Sequence, residues 1–309
     1  MNVLVTGGAG FIGHNIALHL KRLGYGVTAF DSLKRATEFA CRRLASCSIP
    51  IIKGDVLNSR SINAALRNVD VAIHAAAYIS VKESMKKPAL YIRNNVAGTA
   101  SIAKACLQKR VGLIYISSAA VYGEPSATPI SENHPTIPIS PYGLSKLMGE
   151  QIVEFYAKQG LKYAVLRLFN VYGPGQSSAY AGVITCFINR LSEGKPPIIY
   201  GDGQQTRDFI HVYDVAEAIR LAIEGGLVNE AINIATGKPT AIKDLAELLI
   251  KLTRRDLKPI FMKARLGDVK HSYADISKAK SLLGFKPKIN LEEGLIKLIE
   301  EQLQARNKP

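Results

Sequence analysis

The apolar positions of this chain fall into short β-branched runs separated by longer stretches with helical spacing. Asn2-Val3-Leu4-Val5-Thr6, Gly26-Val27-Thr28-Ala29-Phe30, Pro50-Ile51-Ile52-Lys53, Val69-Asp70-Val71-Ala72-Ile73-His74 and Gly112-Leu113-Ile114-Tyr115-Ile116-Ser117 read as strands. Helical patterns separate them, which is the signature of a parallel sheet with helices on both faces. In the second half, Ile242 to Ile250, Ile276 to Leu283 and Leu291 to Leu303 carry helical periodicity with charged outer faces and read as packing elements. Phe209 to Val212 and Ile232-Asn233-Ile234 read as segments that cross back to the large sheet. No internal repeat or low-complexity linker interrupts the pattern.

The first strand breaks into Gly7-Gly8-Ala9-Gly10-Phe11-Ile12-Gly13 and then into an apolar-periodic helix. Gly7 suits a tight turn, Gly10 lets backbone N–H groups approach a pyrophosphate, and Gly13 lets the helix lie close to the strand. A glycine triplet alone also fits an ordinary strand-to-helix turn. The second strand, however, ends in Asp31, near the spacing at which a carboxylate accepts from the adenosine ribose and repels a 2′-phosphate, so NAD is favoured over NADP. The fold expected is α/β: a Rossmann-type doubly wound parallel sheet over residues 1–168 and a smaller C-terminal α/β substrate lobe over 169–309. In such sheets ligands lie outside the carboxyl ends of the strands, where Asp55, His74-Ala75-Ala76-Ala77 and Ser117-Ser118 fall. Asp55 and Val56 are placed to frame an adenine, and the alanines to let a flat nucleotide lie against backbone. His74 reads as a structural hydrogen-bonding residue.

Composition changes the picture only at the margins. With 309 residues, 47% hydrophobic and 21% charged, the chain can bury a substantial core. No apolar run approaches a membrane span and no signal peptide precedes the first strand, so the expectation is a cytoplasmic protein. Cys41, Cys47, Cys106 and Cys186 lack metal-ligand spacing and read as reduced packing residues. The net charge of +15 suits a polyanion or a di-anionic small substrate. Its lysines and arginines are spread out, with Arg42-Arg43 and Arg254-Arg255 the densest clusters and no aromatic interleaving, which disfavours nucleic acid.

The chemistry points to Ser118, Tyr142 and Lys146. Tyr142-Gly143-Leu144-Ser145-Lys146 follows Pro141 and opens a helix, so the i, i+4 spacing sets phenol and ammonium on one face. A tyrosine of ordinary pKa near 10 is a poor base at neutral pH, but a nearby lysine and an oxidised nicotinamide both favour its phenolate. Ser118, at the tip of the fifth strand, is placed to hydrogen-bond the same substrate oxygen, and Lys146 to hold the nicotinamide ribose as well.

Thr6 to Gly13, Asp31, His74-Ala75-Ala76, Ser118 before Ala119-Ala120-Val121-Tyr122-Gly123, and Tyr142 with Lys146 together resemble the extended short-chain dehydrogenase/reductase family. Arg167-Leu168-Phe169-Asn170-Val171-Tyr172-Gly173-Pro174, Gly201-Asp202-Gly203, Arg207-Asp208-Phe209-Ile210-His211-Val212 and Arg265-Leu266-Gly267-Asp268 look like its nucleotide-sugar branch, with most similarity to UDP-glucose 4-epimerases. The resemblance covers nearly the whole chain. It implies NAD held by Gly7, Gly10, Phe11, Ile12, Gly13, Asp31, Ser32, Asp55, Val56, Ala75, Ala76, Ala77, Asn95, Tyr142 and Lys146. It also implies a UDP-sugar held by Ser118, Asn170, Val183, Tyr200, Arg207, Arg265 and Asp268, the two arginines on the diphosphate and Asp268 on the uridine ribose.

The resemblance further implies a cycle in one pocket, in which Tyr142 removes the proton of the sugar 4-hydroxyl while hydride passes from C4 to NAD. The 4-keto sugar then turns and takes the hydride back on its other face. In the 4,6-dehydratases of this branch an Asp-Glu pair follows the catalytic Ser or Thr; here Ala119 and Ala120 stand there, which leaves hydride transfer and its reversal as the easy chemistry. Three departures are also visible. His14 replaces a serine after the loop, Ile79 stands where some epimerases carry a lysine, and Ser272 where some carry a bulky tyrosine, so UDP-N-acetylhexosamines are expected to fit as well. A homodimer is implied too, paired through the helix after Val96 and the helix of Tyr142. Two other readings stay open: a nucleotide-sugar dehydratase or reductase, and a non-catalytic NAD- or RNA-binding relative.

Overall fold

The computed structural model describes residues 1–177, 182–264 and 269–306. The strands are β1 (Asn2–Thr6), β2 (Gly26–Asp31), β3 (Ile51–Lys53), β4 (Val71–His74), β5 (Gly112–Ser118), β6 (Tyr163–Leu168), β7 (Asn170–Tyr172), β8 (Ile198–Tyr200), β9 (Thr206–His211), β10 (Ala231–Ile234), β11 (Pro239–Ala241), β12 (Ile260–Met262) and β13 (His271–Ser272). The helices are α1 (Phe11–Arg22), α2 (Glu38–Ser46), α3 (Ser59–Ala65), α4 (Val81–Lys86), α5 (Pro88–Tyr91), α6 (Gly98–Lys109), α7 (Pro141–Ala157), α8 (Val183–Ser192), α9 (Val212–Glu224), α10 (Ile242–Leu252), α11 (Ser277–Leu283) and α12 (Leu291–Arg306), with a π-helical turn at Ile92–Ala97 and a 3₁₀ turn at Ala119–Val121.

Seven strands form one parallel sheet in the order β10-β6-β5-β4-β1-β2-β3. Chain order reverses between β1 and β4, and the crevice at that switch point is where such sheets receive a dinucleotide. The central strands are apolar throughout because both faces are covered: Val3 and Val5 pack under α1, α9 and α11, while Leu4 packs with side chains of α3, α6 and α7 on the other face. The expected doubly wound fold is therefore observed.

The second half returns to the first in part. Ile232-Asn233-Ile234 lies in β10 at the sheet edge, as expected. Phe209 to Val212 does not cross back: β9 pairs with β7, β11 and β13 in a small separate sheet, because Asn170, Val171 and Tyr172 have already left the large sheet and take its carboxyl-terminal half. A second core of Phe187, Ile188, Leu245, Leu249 and Leu298 joins α8, α10 and α12. Of the cysteines, all reduced, Cys106 is buried and Cys41 and Cys47 half-buried, whereas Cys186 lies exposed on α8 and not in the core. Among the described residues no helix is long and apolar enough to cross a membrane.

Candidate active site

The glycine turn is bare backbone by necessity. Gly7 has φ +68°, and a Cβ there would come 2.7 Å from the Ala76 nitrogen; one on Gly13 would come 2.1 Å from the Gly7 carbonyl oxygen. Gly10 N–H closes the turn on Gly7 O at 2.9 Å and no side chain caps α1, whose first turn holds Phe11, Ile12 and Gly13 and no acidic residue. An uncapped helix start with its basic residues, His19, Lys21 and Arg22, at the far end is arranged for an anion. A groove runs from this turn past Asp31, Ser32, Asp55, Val56, Ala75, Ala76 and Ala77, all expected from the sequence.

Asp31 accepts from Ala9 N–H at 3.1 Å and Leu33 N–H at 2.8 Å, so it ties the end of β2 to the glycine turn, and burial raises its pKa. Sequence reading missed the groove's rim. Lys34 donates to Asp55 at 2.9 Å across one end, and Arg35 grips both Glu83 oxygens, at 3.0 and 2.9 Å, while lying 3.8 Å over the Tyr78 ring. Bidentate reach and ring stacking are what a guanidinium does best, yet nothing local marks a pairing 48 residues apart. Asn95 is a correction: its amide is spent on Tyr78 N–H, Tyr78 O and the Ser145 hydroxyl, and its neighbour Asn94 lines the groove instead. Asn95 is thus a brace between the π-helical turn and α7. His74 is structural as expected, held between the Thr6 hydroxyl at 2.7 Å and the Thr99 hydroxyl at 3.2 Å, and burial drives its pKa down to about 3.

A second pocket is lined by Ser118, Ala119, Ala120, Tyr142, Phe169, Asn170, Arg207 and Ser272, with Val81 and Met85 of α4 also in its lining. Ser140 caps α7 by accepting from Gly143 N–H at 3.1 Å, and Pro141 sits in the first turn, which sets Tyr142 at the helix mouth. Tyr142 and Ser118 line this pocket together, and the Ser118 side chain lowers the Tyr142 pKa. Lys146, one turn on and buried, donates to Ile116 O at 2.8 Å and lies 5.1 Å from the Tyr115 ring centroid. Burial takes its pKa down to about 8 against the opposing pull of Glu150. One expectation is corrected. Burial raises the Tyr142 pKa, only the Ser118 side chain lowers it, and the ammonium, turned toward Ile116, does not offset the desolvation. The protein's own groups therefore leave the phenol protonated at neutral pH.

On the second lobe's side, Asn170 donates to Asp208 O at 3.2 Å, and Arg207 reaches the pocket with one nitrogen on Thr206 O at 2.8 Å. Asp208 is filled by Thr236 N–H and hydroxyl, Gly237 N–H and Ala274 N–H, so its carboxylate belongs to that loop. Val183 packs into the second core and Tyr200 ends β8 with its carbonyl on Gln205; neither lines the pocket of Ser118 and Tyr142. Arg265 and Asp268 lie outside the described residues.

A Rossmann-type crevice whose glycine turn fits a dinucleotide, in a chain that also sets Ser118, Tyr142 and Arg207 in one pocket, fits a dinucleotide-dependent enzyme. The chain belongs to the NAD dependent epimerase/dehydratase family, whose profile matches residues 3–235, and NAD is that family's cofactor. A Methanocaldococcus jannaschii protein with the provisional name UDP-glucose 4-epimerase is 40% identical over 96% of this chain and 97% of its own length. A UDP-N-acetyl-alpha-D-glucosaminuronate decarboxylase of Bacillus cytotoxicus is 32% identical over 96% of each chain. The crystal structure of UDP-glucose 4-epimerase with UDP-glucose from Thermotoga maritima superposes with a TM-score of 0.94 at 36% identity, covering 99% of this chain and 100% of that one.

Proposed function

We propose that this protein is a UDP-glucose/UDP-galactose 4-epimerase that acts without net redox change. The observation that carries the reading is the pocket itself: Ser118 and Tyr142 line it together with Asn170 and Arg207, and the flanking positions that could hold an additional acid or base are Ala119 and Ala120. A dehydratase or a decarboxylase needs proton traffic beyond the reacting carbinol, whereas an epimerase needs one proton acceptor that can give the proton back.

NAD, when bound along Gly7, Gly10, Asp31, Ser32, Asp55 and the alanines at 75–77, supplies a hydride acceptor and a positive charge. Tyr142 takes the proton of the sugar 4-hydroxyl, Ser118 hydrogen-bonds the same oxygen, and Lys146 holds the cofactor ribose. Arg207, with Asn170, anchors the diphosphate end, so that the hexose can turn while the nucleotide stays. Because Ser272 is small and shares the pocket wall with the two alanines, N-acetylated hexoses also fit. The enzyme acts in the cytoplasm as a homodimer; Leu144 and Phe155 on α7, 44% and 60% exposed and three turns apart, belong to the face that pairs.

Incubation with UDP-galactose and no external reductant, followed by NMR of the sugars, is expected to yield UDP-glucose and nothing else; a 4-keto-6-deoxy sugar would show a dehydratase. UDP-N-acetylgalactosamine should also turn over, and its complete inertness beside active UDP-galactose removes the N-acetyl part alone.

A further inference from the structure

Three consecutive residues at the tip of β5 each meet a residue of α7, and the three α7 residues lie four apart on one stripe. Ser118 meets Tyr142, Ile116 O accepts from Lys146, and the Ser117 hydroxyl donates to Glu150 Oε1 at 2.5 Å. Glu150 is 2% exposed and has no place in either groove. Its carboxylate also takes Arg167 Nε at 3.0 Å and Nη2 at 2.7 Å from β6, and Arg167 reaches on to the Tyr122 hydroxyl at 2.9 Å. One buried carboxylate is therefore paired with the Arg167 guanidinium, and the buried Lys146 stands one turn before it on α7.

We propose that Glu150 is a positioning residue for the reaction: it pins α7 to the tip of β5 and supplies the counter-charge that the buried Lys146 ammonium needs. The proposal rests on the epimerase reading for Lys146 having work to do, but not for its test. Among the described residues, the titratable groups set near Lys146 are Glu150 and Tyr142 on α7, Tyr115 on β5 and His74 on β4, the last neutral between two hydroxyls, with Arg167 of β6 joined through Glu150. Glu150 is the one anion in that set. Burial of an ammonium without a counter-ion favours loss of its proton, and a guanidinium cannot make the same concession. With Glu150 gone, Lys146 is the group that must yield.

The test is the titration of Lys146 itself, read from the ¹³Cε signal of labelled lysine and identified by its disappearance in Lys146→Arg. Glu150→Gln is expected to lower the Lys146 pKa by one unit or more, while Arg167→Gln, which frees Glu150 from its competitor, raises it. Ser117→Ala, which removes a hydrogen bond and no charge, should leave it in place. With UDP-galactose, Glu150→Gln should bring the alkaline limb of kcat down by the same interval with KM unchanged. A Lys146 titration that Glu150→Gln leaves unmoved overturns the proposal. Where that variant does not fold, an Arg167→Gln protein whose Lys146 pKa is unmoved or lower does the same. Failure of the wild type to epimerise overturns the functional reading instead and leaves the titration free to judge Glu150.

Discussion

Tyr142 is held by opposed influences: burial keeps its proton on, and the Ser118 side chain eases it off. The balance at the residue scale lies with the neutral phenol until positive charge arrives, which couples base strength to cofactor loading. Removing only the hydroxyl separates this role from packing, because the ring stays edge-on to Tyr91 at 6.5 Å between centroids. Tyr142→Phe is expected to fold and bind UDP with near wild-type affinity and to lose kcat by about 10²- to 10⁴-fold, the range for a positioned acid–base group. A loss confined to KM, measured by steady-state kinetics, contradicts the assignment. This trio was legible because its signals are short-range, a tyrosine and lysine four apart after a helix-starting proline. Arg167 was read only as part of a family motif and Glu150 not at all, although an arginine inside the apolar strand Tyr163–Leu168 is itself a sign of a buried partner; that partner lies 17 residues back on another element.

At the scale of elements, the contact between β1 and α1 fixes the cofactor groove. Gly13 lets the helix approach so closely that an added methyl would meet the Gly7 carbonyl oxygen at 2.1 Å, backbone against backbone. Gly13→Ala should push α1 from the turn, cost about 1–3 kcal/mol in denaturant unfolding and weaken NAD binding in calorimetry far more than UDP binding. Equal weakening of both would show that the turn is not a cofactor element. The strands β1 to β5 and this turn could be read because their apolar runs alternate with helical stretches or carry glycines at functional spacing. β7, β8, β11, β12 and β13 have three residues or fewer and lie outside that alternation, and the separate small sheet around β9 was accordingly misplaced.

For the whole molecule, three buried histidines set a pH dependence. His14, His74 and His211 are pushed down to about 4, 3 and 4, in each case chiefly by burial. Their folded pKa values lie below the unfolded value of about 6.5, so the unfolded chain binds more protons as pH falls and native stability falls with it, by at most about 1.4 kcal/mol per pH unit for each. Thermal unfolding at pH 7 and pH 5.5 should show a lower midpoint at pH 5.5; an equal or higher midpoint contradicts the buried neutral state. Two of these histidines also join parts of the chain far apart in sequence. His14 on α1 lies against Gly175, 2.6 Å from where a Cβ there would stand, and His211 packs at 5.1 Å on Tyr172 between β7 and α9.

The most direct test uses UDP-galactose carrying deuterium at sugar C4, incubated without external cofactor. Deuterium recovered at C4 of UDP-glucose, in full and with no exchange into water, is the result that a hydride lent and reclaimed at one carbon predicts. Label washed out, found at another carbon, or recovered in a Tyr142→Phe protein at the wild-type rate would contradict it.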